Sequence, residues 1–120
     1  MTIRRVKTYT AQTGYVYQYY FVGKRPALDN DPEAPSTEFI FDATSDRKTI
    51  FAVSIFLHPE ALSAWAASRG RTLGDSEQYA AVKLRLMQAF DEIPDMLKHG
   101  RRLRLEVDEL SALLDSIGVE

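Results

Sequence analysis

The chain has 120 residues, of which 45% are hydrophobic, 27% are charged and none is cysteine. This length fits one domain with one hydrophobic core, and the lack of cysteine excludes disulfides, zinc–cysteine sites, iron–sulfur clusters and thiol nucleophiles. Seventeen acids against fifteen bases give a formal net charge of −2, which argues against a dedicated polyanion binder. The basic N-terminal residues are not followed by an apolar signal segment, and no apolar run is long enough to span a bilayer, so we expect a cytoplasmic protein.

Two segments rich in β-forming residues predict a first hairpin. Residues 3–11 alternate loosely between polar and apolar types, and residues 15–22 form the densest run of aromatic and β-branched side chains in the sequence. Gly14 lies between them and permits the positive φ of a tight turn. A loop is expected over residues 23–37, where three prolines within ten positions exclude a central strand and a helix.

A second hairpin and three helices complete the predicted elements. Residues 38–42 and 50–57 are predicted strands, and the second of them is apolar on both faces, which is typical of the middle of a sheet. The hydrophobic period then changes from two to about 3.6. The predicted helices are residues 59–69, 76–92 and 109–117. A short alternating segment at 103–107 indicates a fifth strand or, alternatively, the beginning of one long final helix.

Polar residues mark where two of these helices begin. Pro59 suits the first position of a helix, and His58 before it is expected to help the chain enter that helix. Asp75, which is followed by Gln78 as in a capping box, is the expected N-cap of the second helix, and Ser76 is the alternative cap.

The element order β-β-β-β-α-α-β-α predicts a single globular α+β domain over residues 1–120. Strands that precede helices in the chain are typical of an antiparallel sheet with helices on one face. We therefore expect an antiparallel sheet of four to five strands, built from two N-terminal hairpins, with about three helices packed on one face. The other face of this sheet has no predicted cover.

The aromatic residues of the second strand suggest a binding surface. The period of two places one set of rings on a single face: Tyr15, Tyr17, Tyr19 and Phe21. If the helices cover the opposite side, this aromatic row is open to a second subunit, an apolar ligand or nucleic-acid bases. The competing interpretation is that the rings form the core. From the open arrangement we expect a non-enzymatic domain that binds another copy of itself, as a homodimer, or a different protein partner.

Two alternatives remain open. Basic residues beside the aromatic row would flank a stacking platform for single-stranded nucleic acid: Arg4, Arg5, Lys7, Lys24 and Arg25. Six carboxylates and no base in residues 26–46 argue against that ligand. A small-ligand carrier or a small enzyme would instead have a pocket between the sheet and the loop at 23–37.

No pattern in the sequence predicts a catalytic residue, a cofactor or a metal. His58 and His99 are 41 residues apart and have no metal-ligand spacing. The acids of residues 29–33 alternate as at the start of a calcium loop, but Ala34 occupies the position where that loop requires glycine. The sequence therefore favours a non-enzymatic role.

Overall fold

The computed structural model describes residues 5–27 and 35–120. Within these residues, five strands form one sheet in the order β1-β2-β3-β4-β5. The strands are β1 (Lys7–Thr10), β2 (Val16–Pro26), β3 (Thr37–Thr44), β4 (Phe51–Leu57) and β5 (Arg102–Leu105). The helices are α1 (Pro59–Arg69), α2 (Asp75–Glu92), α3 (Met96–His99) and α4 (Val107–Ser116). The predicted α+β class is confirmed, with the order β-β-β-β-α-α-α-β-α.

Some predictions fall outside the described residues. They include Arg4 as a binding residue and the first two residues of the strand expected at 3–11. Residues 28–34 of the loop predicted at 23–37 lie outside as well, together with its alternating acids and any pocket between those residues and the sheet.

The first hairpin forms as predicted, and its second strand is longer than predicted. Gly14 has a φ of 95° in the turn, which only glycine adopts without strain. β2 continues to Pro26 because a bulge between Phe21 and Gly23 accommodates the glycine within the pairing to β3. Pro26 has no N–H to donate and ends the strand. The prediction of a loop at 23–37 is therefore wrong for residues 23–26, and it is also wrong for Thr37, where β3 begins.

The fifth strand makes the sheet mixed. β5 pairs with β4 in parallel, from Ser54 opposite Arg102 to Leu57 opposite Leu105. The expectation of an antiparallel sheet is wrong for this pairing and correct for the other three. Parallel neighbours need a long crossover connection, which α1, α2 and α3 supply. Because β5 ends before α4 begins at Val107, the alternative of one long final helix is excluded.

The three predicted helices are confirmed, although α4 begins at Val107 rather than at residue 109 and the N-cap of α2 differs from the expected one. His58 is the N-cap of α1, and its Nδ1 accepts a hydrogen bond from the backbone N–H of Glu60 at 3.1 Å. Gly74, rather than Asp75, is the N-cap of α2. The reason is the carboxylate of Glu77 in the first turn, which accepts a hydrogen bond from the backbone N–H of Gly74 at 2.9 Å.

The helices cover one face of the sheet, and the aromatic row lies on that face. Tyr17 and Tyr19 are only 2% and 5% exposed. The ring of Tyr17 stacks on Phe90 of α2, with centroids 4.1 Å apart and an interplanar angle of 5°. Phe21 is half-buried and meets Tyr79 of α2 edge-on at 5.1 Å. The expectation that these rings face solvent is wrong, and the competing interpretation that they form the core is confirmed.

The physical reason is that the helices carry matching rings. Alternation along β2 correctly places the aromatic side chains on one face of the strand. It does not indicate which of the two faces packs against the helices. Tyr79 and Phe90 of α2 supply aromatic partners, and such ring pairs add about 0.5–1.5 kcal/mol each beyond their buried area. A tyrosine at the edge of the core also keeps its hydroxyl satisfied, as where Tyr9 donates to Asp91 at 2.7 Å. Tyr15, which precedes β2 and is 48% exposed, lies outside this core.

Candidate functional site

The candidate site lies on the face of the sheet opposite the helices, which we term the helix-free face. In the part of the chain that the structure describes, the buried residues of all four helices belong to the core on the other side. The strand residues on the helix-free face are Thr8 and Thr10 of β1, Val16, Gln18, Tyr20 and Arg25 of β2, Glu38, Ile40, Asp42 and Thr44 of β3, Ala52, Ser54 and Phe56 of β4, and Arg102 and Arg104 of β5.

The half of this face formed by β1 and the start of β2 is uncharged. Thr8 lies opposite Gln18, and Thr10 lies opposite Val16. The Val16 side chain is 47% exposed, and Val6, which precedes β1, is exposed as well. The lack of charge fits the central part of a protein contact, where charged residues are depleted.

The other half of the helix-free face carries a row of three charged residues and one aromatic ring that crosses four strands. Arg25 of β2 lies opposite Glu38 of β3, Glu38 lies opposite Phe56 of β4, and Phe56 lies opposite Arg104 of β5. Because neighbouring strands are about 4.8 Å apart, the row extends about 15 Å. Two arginines therefore flank a carboxylate and a phenyl ring.

Glu38 is held in this row by hydrogen bonds to both of its oxygens. Arg25 Nε donates to Glu38 Oε1 at 2.9 Å, and the hydroxyl of Ser54 donates to Oε2 at 2.6 Å. Burial by itself raises the pKa of Glu38, but the hydrogen bonds from Ser54 and Arg25 and the nearby arginine charges lower the pKa below its ordinary value. The two hydrogen bonds hold the carboxylate of Glu38 between Arg25 and Ser54.

A depression of about 350 Å³ opens beside this network. Its lining residues are Arg25, Pro26, Glu38, Phe56 and Arg102. The guanidinium of Arg102 lies over the Phe56 ring, 4.7 Å from its centroid, which is a cation–π contact. Among the described residues, Arg102 forms no ion pair with a carboxylate. The depression thus combines an aromatic wall with an uncompensated positive charge.

A second carboxylate lies further along β3 on the same face. Asp42 is the register partner of Tyr20 and accepts a hydrogen bond from its hydroxyl at 2.7 Å. Among the described strand residues of the face, the three arginines, Arg25, Arg102 and Arg104, outnumber the two carboxylates. The helix-free face is therefore positive although the whole chain is slightly acidic.

The structure does not bring the predicted binding residues together. Lys7 lies on the helix side opposite Tyr19, and the proximity of its ammonium group lowers the pKa of Lys83 of α2. Lys24 is also on the helix side, with its Nζ 3.8 Å from a carboxylate oxygen of Asp75. The aromatic row lies in or beside the core. Of the predicted binding residues that the structure describes, Arg25 alone lies on the helix-free face.

Sequence reasoning misses Glu38, Phe56 and Arg102 as candidate site residues. One signal was available, because Arg102 and Arg104 alternate with leucines, which indicates a charged outer face on a half-buried strand. The missing information was the pairing of β5 beside β4, which places these arginines next to Phe56.

Within residues 5–27 and 35–120, no group of three histidine or acidic side chains is arranged to hold a metal ion. No helix among those residues has the length and apolar character needed to cross a bilayer. Comparisons with protein-family models, with curated proteins and with solved structures found no match. We therefore base the functional proposal on the geometry of the helix-free face.

Proposed function

We propose that this chain is a non-enzymatic binding domain that docks a protein partner on its helix-free face. The observation that carries the proposal is the composition of that face, with an uncharged aliphatic and hydroxyl half beside a positively charged half. Apolar contact area next to complementary charges is the usual arrangement in protein complexes. The partner we expect is a protein surface that presents aliphatic side chains next to carboxylates.

A different protein fits this face better than a second copy of the chain. In a two-fold symmetric dimer the same surface meets itself. The two carboxylates of this face, Glu38 and Asp42, already accept hydrogen bonds from side chains of their own chain. A second copy therefore supplies no carboxylate without such a bond for Arg102 or Arg104, whereas an acidic partner does. The predicted homodimer is therefore one outcome of the test below.

The described strands limit the size of the contact. Five strands about 4.8 Å apart, with an average of about seven residues at about 3.3 Å per residue, cover roughly 550 Å² in projection. Each partner in a complex of standard size buries about 800 Å² of accessible surface. A partner that contacts the helix-free face alone therefore makes a smaller contact than the standard one.

Single-stranded nucleic acid fits the same face less well. Stacking of bases needs exposed rings, but Tyr17 and Tyr19 lie in the core and an arginine lies over the ring of Phe56. The three arginines and two carboxylates of the described strands leave this face one net positive charge, which is too little for the series of phosphates along a strand. These observations support a protein partner over a nucleic acid.

Affinity capture with matched variants tests the proposal. Wild-type protein is compared with Arg102→Glu in the charged half, Val16→Asp in the uncharged half, and Lys48→Glu at an exposed turn position away from the face. A captured protein is purified and titrated against all four by calorimetry. We expect wild type and Lys48→Glu to bind equally, and both face variants to bind at least about tenfold more weakly.

Three results would overturn this proposal. A purified partner that binds all four proteins equally docks somewhere other than the helix-free face. A wild-type dimer in sedimentation equilibrium that dissociates in the Arg102→Glu and Val16→Asp variants identifies a second copy as the occupant. Salt-dependent binding of a fluorescent single-stranded oligonucleotide that Arg102→Glu abolishes identifies nucleic acid instead.

A further inference from the structure

The depression on the helix-free face has the features of an anion-binding subsite. It lies where β2 ends and β3 begins, since Arg25 and Pro26 contribute to it from one strand and Glu38 from the next. Its volume of about 350 Å³ is at the lower end of the range for small-ligand sites. A space of this size holds one side chain or one chain terminus rather than a large ligand.

Arg25 is oriented by the sheet for contact with a second acceptor. Its Nε donates to Glu38 Oε1 at 2.9 Å, while 67% of its side chain remains exposed. A guanidinium held through Nε keeps its two terminal nitrogens for another planar anion, which it can bind through two parallel hydrogen bonds. Glu38 is in turn fixed by the hydroxyl of Ser54 at 2.6 Å. The sheet therefore fixes the direction of this guanidinium before any ligand arrives.

Arg102 supplies the uncompensated charge. Glu38 has both oxygens engaged, and its single negative charge is balanced by Arg25. Arg102 is the second guanidinium in the depression, and its described contact is with the face of Phe56 rather than with a carboxylate. The lining residues thus carry one net positive charge, which favours an anionic group.

The remaining wall is apolar. Phe56 and Pro26 line the depression next to the two guanidinium groups. An anion that also carries an apolar group therefore makes both contacts at once, whereas a fully hydrated anion makes only the polar one.

We propose that the depression binds a carboxylate of the protein partner between Arg25 and Arg102, with an adjacent apolar group of the partner against Phe56 and Pro26. This inference rests on the proposed function, because the carboxylate belongs to the docked partner. Two sources have the required chemistry, namely an aspartate or glutamate side chain and a C-terminal carboxylate.

NMR titration of the ¹⁵N-labelled full chain with small probes tests the site and separates the two sources. N-acetyl-phenylalanine represents a chain terminus beside an apolar group, N-acetyl-glutamate amide represents an acidic side chain, and N-acetyl-phenylalanine amide is the uncharged control. At least one acid should shift the amide signals of Glu38, Phe56 and Arg102 in a saturable manner. The uncharged amide should bind at least about tenfold more weakly than that acid.

Variants locate the binding group. Arg102→Gln should weaken binding of the acid at least about tenfold, because it removes one charged donor and leaves the Glu38 network intact. Arg25→Gln is less suitable, because it also removes the ion-pair partner of Glu38 and so changes the site itself. The test therefore uses Arg102→Gln. Lys48→Gln, at an exposed turn position, should leave the affinity unchanged.

Other results would overturn the inference. Equal binding of the amide and the acid would show that the charge is not recognised. No saturable shift by either acid up to about 20 mM, far above the concentration at which a specific subsite binds, would exclude the site. Inorganic phosphate that binds more tightly than both acids would assign the arginines to phosphate. If a partner binds through the helix-free face and the probes do not bind, the proposed function stands and this inference fails. If the probes bind and no partner depends on the helix-free face, the depression binds carboxylates and the proposed function fails.

Discussion

Two adjacent residues of β2 test which face of the sheet is the core. Tyr17 is 2% exposed and stacks on Phe90, whereas Val16 is 47% exposed on the helix-free face. An aromatic side chain buries about 150–250 Å², which at about 25 cal/mol per Å² corresponds to roughly 4–6 kcal/mol. The denatured chain already buries part of this area. We therefore expect Tyr17→Ala to lower the free energy of unfolding by about 3–5 kcal/mol, and Val16→Ala by less than about 0.5 kcal/mol.

Urea unfolding followed by circular dichroism measures both free energies. The slope of each transition should match that of the wild type, so that the midpoints report stability alone. In a thermal scan, the loss at Tyr17 corresponds to roughly 15 °C in Tm. If Tyr17→Ala is too unstable to purify, Tyr17→Leu makes the same comparison with a smaller loss. A larger effect of Val16→Ala than of either Tyr17 variant would place the core on the opposite face and refute the assignment.

Two further predictions concern the ion pair of Arg71 with Glu77 and the close approach of Gly100 to Met96. The Arg71 guanidinium and a backbone N–H lower the pKa of Glu77 from 4.5 to about 2, so the stabilisation from this carboxylate is complete above about pH 4.5 and is lost as the pH falls toward 2. Glu77→Gln should therefore flatten the acid side of a plot of Tm against pH measured by calorimetry, and an unchanged acid side would contradict the ion pair. A Cβ at Gly100 would overlap the buried Met96 side chain, so Gly100→Ala should lower the free energy of unfolding by about 1–3 kcal/mol. The control is Gly23→Ala, which adds a methyl group into open space and should leave the free energy of unfolding unchanged or raise it by up to about 1 kcal/mol. If urea unfolding shows the same loss of free energy for both variants, the close packing at Gly100 is contradicted.

Elements with a strong local signal could be predicted from the sequence. The apolar run at 50–57 corresponds to β4, and the helical spacing at 76–92 corresponds to α2. The period of residues 76–92 is long enough to identify a helix, and the run at 50–57 is identified as a strand by its short length and its β-branched and aromatic residues. The first hairpin follows the same rule, because its turn needs the positive φ of Gly14.

Properties that depend on distant residues could not be predicted in this way. The side of β2 that is buried depends on the rings of α2, since Tyr17 packs on Phe90 and Phe21 packs on Tyr79. The position of β5 at the edge of the sheet depends on a crossover through three helices. Neither fact has a signal within the strand itself, and together they determine which residues form the helix-free face.

The bulge in β2 explains why Arg25 and the aromatic row lie on opposite faces of the sheet. Strict alternation along the strand places Arg25 on the same face as the row and Lys24 on the opposite face. The extra residue next to Gly23 exchanges the two faces beyond that point. Lys24 therefore lies opposite Phe39 on the helix side, and Arg25 lies opposite Glu38 on the helix-free face. A glycine is equally consistent with a turn and with a bulge, so the position of Arg25 follows from the pairing with β3 and not from the sequence of β2.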